Sequence, residues 1–190
     1  MTTTLEMVRS FIAFDIDDEH VLRNIIKAQK MLLETGADLK LVKPENIHVT
    51  MKFLGSIPTT MVDEIHGEME KITFTQFKIE LKGLGAFPNL RRIRVIWAGI
   101  REGARELRDI YNQLELNLKA LGFKADPKGF SPHLTIVRVR TGRNRNNLVR
   151  CIEQLADQDF GTVEVKCLRL KRSVLTPKGP IYSVLREVCR

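Results

Sequence analysis

Two short stretches of this 190-residue chain place a histidine and a threonine at the same spacing inside apolar surroundings. The first is His48-Val-Thr50 within "NIHVTMKFLG", and the second is His133-Leu-Thr135 within "SPHLTIVRVR". Side chains alternate between the two faces of a β-strand, so each histidine shares a face with its threonine. The apolar neighbours can then anchor each strand in a core, while both polar pairs are presented on a groove.

Two imidazoles on opposite sides of a groove suit acid–base chemistry on a phosphodiester. One histidine takes a proton from water and the other gives a proton to the departing oxygen, and an ordinary histidine pKa of about 6.5 allows both near neutral pH. The hydroxyls of Thr50 and Thr135 can donate to non-bridging phosphate oxygens and stabilise developing charge. The scheme requires no metal, and neither histidine has a third nearby ligand at zinc spacing.

A repeated order of strands and helices positions the two motifs. Hydrophobic patterns predict one β-α-β-α-β unit over residues 8–82 and a second over residues 93–173, with His48 and His133 at matching places. The two motifs face one shared groove if the halves are related by a pseudo-two-fold axis. The sequence therefore predicts a single domain over residues 1–190, built from two related halves.

Three local signals complete this outline. The connection near Gly83–Arg92 is the predicted boundary between the halves, and Val163–Leu170 is predicted as one strand. "TPKGP" at Thr176–Pro180 predicts a hairpin turn before the last strand.

The formal net charge is +8, and the basic residues are clustered rather than spread evenly. A basic surface favours partners that carry phosphate, with a merely solubilising surface as the alternative interpretation. The clusters comprise Arg91, Arg92 and Arg94; Arg138, Arg140, Arg143 and Arg145; and Arg169, Lys171 and Arg172. Arg143 and Arg145 follow the second histidine motif directly and are predicted to bind the phosphates of such a partner.

The cysteines and the apolar segments argue against a disulfide-rich, a zinc-binding or a membrane-spanning protein. Cys151, Cys167 and Cys189 are few and widely spaced, so neither a disulfide framework nor a zinc site is predicted, and we expect buried or incidental thiols. No segment approaches the roughly 18 apolar residues that a membrane span needs. The start of the chain lacks the pattern of a signal peptide, which predicts a cytoplasmic protein.

The chain resembles the RNA 2′,3′-cyclic phosphodiesterases of the 2H phosphoesterase superfamily, also called the 2′-5′ RNA ligase family. The resemblance covers nearly the whole chain and rests on the stretches "FIAFDI", "KPENIHVTMKFLG", "GAFPNLRRIRVIWAG", "FSPHLTIVRVR" and "GPIYSVL". It implies a bilobal α+β fold in which antiparallel sheets line a central cleft and helices lie outside. The terminal segments would share one lobe and the middle of the chain the other, so the sequential halves need not equal the lobes.

The resemblance also implies a reaction. The family opens a 2′,3′-cyclic phosphate at an RNA 3′ end to leave a 2′-phosphomonoester without a cofactor, and 2′-5′ ligation of tRNA halves is its reverse-type activity. His48 matches the proton donor, His133 the proton acceptor, and Thr50 and Thr135 the phosphate-contacting threonines. The residues alone leave donor and acceptor open, because the two motifs are nearly symmetric.

Two further positions follow from the resemblance. Phe53 and Arg138 each lie five residues after their histidine, and they match cleft positions that contact base and phosphate. Strict alternation puts both side chains on the opposite face from the histidines, unless a β-bulge turns them inward. On alternation alone, we expect Phe53 to be a core residue.

Two other functions compete with a metal-independent RNA phosphodiesterase. One is an RNA-end-binding module with little catalysis, in which the arginines alone hold the ligand. The other is an esterase of small cyclic nucleotides unrelated to RNA. The paired motifs favour an enzyme, because phosphate binding needs no matched acid and base. The expected partner is RNA with 2′,3′-cyclic phosphate ends, tRNA fragments included, bound by a monomer. Arg143 and Arg145 are predicted to bind the backbone of this RNA.

Overall fold

The structure, a computed structural model, describes residues 6–190, in which nine strands and four α-helices build two sheets. The strands are β1 (Met7–Asp15), β2 (Leu39–Leu41), β3 (His48–Pro58), β4 (Phe77–Asn89), β5 (Arg92–Ile100), β6 (His133–Val139), β7 (Asp159–Val165), β8 (Cys167–Thr176) and β9 (Gly179–Cys189). The helices are α1 (Glu19–Glu34), α2 (Met61–Glu70), α3 (Ala104–Lys119) and α4 (Arg145–Gln154). The signal-peptide prediction concerns the start of the chain, of which residues 1–5 lie outside the described part.

The two sheets are antiparallel at every strand pair within residues 6–190. Their orders are β3-β1-β8-β9 and β2-β6-β5-β4-β7. The predicted α+β class with antiparallel sheets is confirmed. In each sheet a histidine strand, β3 or β6, lies beside the first strand of its own half, β1 or β5. The next strand in each sheet, β8 or β4, comes from the other half, so the two halves interlock. Their origin by duplication stays a prediction, which the matching strand orders support.

The helices cover the outer faces and also cross between the halves. Helices α1 and α4 pack with strands of the five-stranded sheet, whereas α2 and α3 pack with strands of the four-stranded sheet. Helix α1 begins where the Asp18 side chain accepts a hydrogen bond from the Val21 N–H at 2.9 Å, and it is followed by Gly36 at a φ of 73°. No helix within residues 6–190 is both long and apolar enough to cross a membrane.

Two local predictions of chain path are wrong. Val163–Leu170 is not one strand, because the chain leaves the five-stranded sheet after Val165 and enters the four-stranded sheet at Cys167. Most of Gly83–Arg92, predicted to be a connection, is the end of β4, which turns directly into β5; its place as the boundary between the halves stays a prediction. A run of apolar residues indicates an extended chain, but it carries no information about which sheet the chain joins.

The prediction of unpaired thiols is wrong for two of the three cysteines. Cys167 and Cys189 lie opposite each other on β8 and β9 and form a disulfide, with their Cα atoms 4.0 Å apart. Cys151 is free and buried, as expected. The pairing arises from strand register, which a sequence separation of 22 residues does not reveal.

Reducing the Cys167–Cys189 disulfide should lower the thermal stability. The bond closes a loop of 22 residues, for which the chain-entropy model gives ~3 kcal/mol. For a domain of this size the Tm should fall by roughly 6–12 °C. Calorimetry with and without a phosphine reductant measures this, and a Cys167→Ser/Cys189→Ser variant should show no dependence on reductant. An unchanged Tm, with both thiols shown to be free, would contradict the expectation.

Candidate active site

A β-bulge in β3 sets which side chains reach the groove. The pairing of β1 with β3 passes from Thr50 directly to Lys52 and skips Met51. Met51 and Lys52 are consequently both buried, at 2% and 7% exposure, and Phe53 turns outward with 69% of its surface exposed. Phe53 therefore joins His48 and Thr50 on one face. The expectation of Phe53 as a core residue is wrong, because the bulge resets the alternation.

A second bulge occupies the matching place in β6. The pairing of β5 with β6 passes from Thr135 to Val137 and skips Ile136. Ile136 and Val137 are both fully buried, and Arg138 turns outward on the face of His133 and Thr135. The inward anchoring predicted for the apolar residues of both strands is confirmed by their burial.

Strands β3 and β6 contact each other, and their polar faces line one cleft of about 1430 Å³. Six of the eight predicted site residues line it together: His48, Thr50, Phe53, His133, Thr135 and Arg138. A second, open depression lies beside Ala86 and Arg91 and contains no acid–base pair.

Arg143 and Arg145 are not among the residues that line the cleft. Both lie beyond the end of β6, where Arg145 begins α4 and donates a hydrogen bond to the backbone oxygen of Arg91 at 3.0 Å. Their predicted contact with RNA therefore concerns a chain that extends past the cleft.

The two histidines are oriented in the same way. His48 Nδ1 lies 2.7 Å from the backbone oxygen of Asn46, and His133 Nδ1 lies 2.7 Å from the backbone oxygen of Ser131. Because a carbonyl oxygen can only accept, we assign the proton to Nδ1 in both neutral rings. Nε2 of each histidine is thereby left free to take or deliver a proton.

Aromatic rings pack around His48. The Phe11 ring lies 4.9 Å from the imidazole and the Tyr182 ring lies edge-on at 5.4 Å, measured between centroids. Tyr182 lines the same cleft, from β9. Its position near His48 depends on strand order, so no pattern local to the first motif predicts it.

The pKa of His48 is lowered to about 4. Burial is the largest cause, because it disfavours the charged imidazolium. The hydrogen bond to Asn46 acts in the opposite direction, the cations Lys171 and Arg138 lower the pKa further, and Asp15 raises it. His48 is therefore neutral in the free protein at pH 7. If it is the donor, it must gain its proton when a phosphate anion enters the cleft and raises the pKa.

His133 has a comparable aromatic wall, and no charged group within residues 6–190 is among the causes of its pKa shift. The Phe87 ring stands edge-on at 4.9 Å, and the Trp97 ring lies at 6.5 Å. Trp97 lies against Gly85, where a Cβ atom would come within 2.2 Å of the indole, so only glycine fits there. Burial lowers the pKa of His133, and its hydrogen bond to Ser131 opposes this effect.

Cations dominate the lining of the cleft. Glu115 and Asp126 are the acidic residues of the described lining, and Glu115 is ion-paired with the buried Lys52. Such a surface attracts polyanions and raises their local concentration. The remaining basic residues of the lining are Lys40, Lys43, Arg92, Arg94, Lys124, Lys128, Arg138, Arg140 and Lys178.

The third basic cluster of the sequence is not a free cationic surface. Lys171 is only 4% exposed and is ion-paired with Asp15. Arg169 binds both Asp15 and Glu187, with N–O distances of 3.0 and 2.9 Å. Phosphate binding and a solubilising surface, the two interpretations of this cluster, both assume free cations, and neither fits these two residues because their charges are already paired.

One group of described side chains is close enough to hold a metal ion. It comprises Cys167, Glu187 and Cys189, and its two sulfurs are joined in the disulfide. His48 and His133 do not belong to it.

Acidification should destabilise the protein through His48. Its pKa of about 4 in the folded state means that the unfolded chain binds more protons between about pH 4 and 6.5. The free energy of unfolding should therefore fall as the pH drops through this window, by up to ~3 kcal/mol from His48. Urea unfolding at several pH values should show a weaker dependence in His48→Asn, whose amide can still donate to Asn46. Identical dependences would contradict the assignment.

Comparison with known proteins identifies the family. The model of the "LigT like Phosphoesterase" family matches residues 16–97 and 99–182, with one histidine motif in each range. Proteins named RNA 2′,3′-cyclic phosphodiesterase from Aeropyrum pernix and Archaeoglobus fulgidus are each 40% identical, over 164 and 179 residues. The alignments cover 86% and 94% of this chain, and 93% and 98% of those relatives.

Solved structures agree with this result at the level of the fold. A crystal structure of a Thermus thermophilus protein superposes with a TM-score of 0.78 at 26% identity and covers 95% of this chain and 97% of its own. E. coli LigT complexed with 3′-AMP has a TM-score of 0.77 at 22% identity, with 97% and 98% covered. Two sheets bring the paired histidine motifs of this chain to one cleft, and the family model and the relatives match nearly its whole length. The chain therefore belongs to the LigT-like phosphoesterases of the 2H superfamily.

Proposed function

We propose that this protein hydrolyses 2′,3′-cyclic phosphodiester ends of RNA to 2′-phosphomonoesters, with two histidines as acid and base and no metal. The observation that carries the proposal is the pair of imidazoles, each fixed through Nδ1 to a backbone oxygen, on one cationic cleft. The names of the 40% identical relatives support RNA as the substrate. An RNA substrate in turn supports the expected cytoplasmic location, and one chain supplies both motifs, so a monomer suffices.

The reaction needs two proton transfers. The water oxygen attacks phosphorus while Nε2 of one imidazole, His133 by resemblance, takes the water proton. The bond between phosphorus and the 3′ oxygen breaks, and that oxygen receives the proton carried by Nε2 of the other imidazole, His48. Each transfer is typically worth roughly 10²–10⁴ in rate. With the 5′ hydroxyl of a second RNA in place of water, the same exchange would form a 2′-5′ bond between RNA ends, as in tRNA halves.

The other lining residues stabilise the negative charge of the transition state and bind the terminal nucleobase. The hydroxyls of Thr50 and Thr135 donate to the non-bridging oxygens, where negative charge grows in the transition state. Arg138 adds a permanent cation beside them. The exposed ring of Phe53 offers a surface on which the terminal base stacks. A module that only binds RNA ends would need the cations but not two matched imidazoles, so we favour catalysis.

Replacing either histidine should remove most hydrolysis. We expect His48→Ala and His133→Ala each to lower kcat by roughly 10²–10⁴, and the double variant to be little worse, because residues that act as one unit are not additive. Turnover of a short RNA with a 2′,3′-cyclic phosphate end measures the rate. Phosphorus NMR identifies the 2′-phosphomonoester.

The matched control is His66→Ala on α2, which is outside the cleft lining and should keep the wild-type rate. Exhaustive EDTA treatment should also leave the rate unchanged, because side chains supply both protons. Near wild-type turnover in a folded single variant would overturn the two-histidine mechanism. Loss of hydrolysis after chelation, with recovery when Zn²⁺ or Mg²⁺ is added back, would also overturn this mechanism.

Arginines inside the cleft should contribute to the binding of both short and long RNA, whereas those outside the cleft should contribute only to the binding of long RNA. Replacing Arg92 and Arg94 by alanine should weaken binding of both short and long RNA, and lower the salt slope by about one unit per lost phosphate contact. Arg143→Ala/Arg145→Ala should show this loss only with RNA that extends beyond the cleft. Fluorescence titrations at several salt concentrations measure the slopes.

The control for these titrations is Arg105→Ala on α3, because this side chain is exposed and outside the cleft lining. It should leave both slopes unchanged. An unchanged slope for Arg143→Ala/Arg145→Ala with long RNA would show that these two residues are only a solvated surface.

A further inference from the structure

The two histidines have different partners across the strand pair. In the register of β1 with β3, the residue opposite His48 is Asp15, whereas in the register of β5 with β6 the residue opposite His133 is Gly99. The two strand pairs share the bulge that follows the threonine and the bond from Nδ1 to a backbone oxygen. A charged residue therefore lies opposite the histidine in one half and not in the other.

Asp15 belongs to a cluster of charges that reaches His48. It accepts hydrogen bonds from Lys171 Nζ at 2.5 Å and from Arg169 Nη1 at 3.0 Å. Lys171 Nζ also lies 5.8 Å from the centroid of the Tyr182 ring, and this ring packs edge-on against His48. The cluster thus connects two strands of the sheet to one face of the imidazole.

Stability alone does not explain why the ion pair of Lys171 with Asp15 is buried. Lys171 is 4% exposed, and the desolvation of a buried lysine is offset only in part by its ion pair. Replacing buried ion pairs by apolar residues is often neutral or stabilising. A buried cation beside one of two matched histidines therefore calls for a functional explanation.

We propose that Lys171, held by its ion pair with Asp15, is a positioning residue that makes His48 unequal in the reaction to His133, which has Gly99 opposite it at the place of Asp15. The inference rests on the two-histidine reaction proposed above. An acid and a base need different proton affinities, and a donor whose pKa is held low gives its proton up readily once the substrate phosphate has brought that proton to it. The motifs themselves are nearly identical, so the difference must come from residues outside them.

The direction of the effect follows from the charges. The charged or titratable groups that face His48 or its cluster come from four strands: Arg9 and Asp15 from β1, Arg169 and Lys171 from β8, Tyr182 and Glu187 from β9, and Arg138 from β6. The Lys171 cation disfavours the imidazolium and lowers the pKa of His48, and Asp15 opposes it. Neutralising Lys171 should therefore raise the pKa of His48, without restoring the ordinary value, because burial is the larger cause and remains.

The test is titration of the histidine ring protons by NMR in the protein without substrate. Lys171→Gln, whose amide can still donate to Asp15, should raise the pKa of His48 and leave that of His133 unchanged. Lys171→Arg keeps the charge and should keep the wild-type value. His48→Asn assigns the resonance, and Lys171→Met serves as a second neutral variant if Lys171→Gln does not fold.

Lys52→Gln is the matched control. Lys52 is another buried, ion-paired lysine, on the same strand as His48, and it is not among the charges that shift the pKa of His48. Its replacement should leave the His48 titration where it was. An equal shift in Lys52→Gln would indicate a general loss of packing and would overturn the proposal.

The pH profile of kcat/KM provides a second test, because its limbs would not shift if Lys171 had a purely structural role. One limb should shift to higher pH in Lys171→Gln and return in Lys171→Arg, whereas a merely structural lysine would lower activity equally at all pH values. An unchanged pKa of His48 in both neutral variants would overturn the proposal. The NMR titration needs no substrate, so an absence of hydrolysis would count against the proposed function and not against this inference.

Discussion

A regular strand shows only every second side chain to one face, and this constraint governs what the cleft can hold. With perfect alternation, β3 and β6 would each deliver a histidine and a threonine and then turn the fifth residue into the core. The bulges at Met51 and Ile136 add one residue to each strand and bury two successive side chains. Phe53 and Arg138 then join the polar face, so each strand presents three groups.

The orientation of each imidazole is set locally, whereas the meeting of the two is set by the whole fold. The backbone oxygens of Asn46 and Ser131 lie two residues before their histidines, so each strand carries its own hydrogen-bond acceptor. The two strands meet because β8 and β4 each pair with the first strand of the other half. Neither half could present a working cleft alone, since each lacks a strand that the other supplies.

This division also explains how much the sequence alone could predict. Strands and the shared face of histidine and threonine follow from local periodicity, so the prediction that both motifs lie on strands is correct. The paths predicted for Val163–Leu170 and Gly83–Arg92 are wrong, because sheet membership depends on contacts distant in sequence. The same holds for the Cys167–Cys189 bond, which requires the register of β8 with β9.

The basic clusters show the limit of arguments from charge. Arg92, Arg94, Arg138 and Arg140 line the cleft, but Lys171 belongs to the buried charges behind His48. A cation in the cleft attracts the substrate, whereas a buried cation acts on its neighbours through a less polar medium and is screened less by salt. Two identical motifs can therefore acquire different chemistry from the residues behind them. The residue opposite each histidine differs between the halves, Asp15 in one and Gly99 in the other, so the surroundings of the pair are not symmetric.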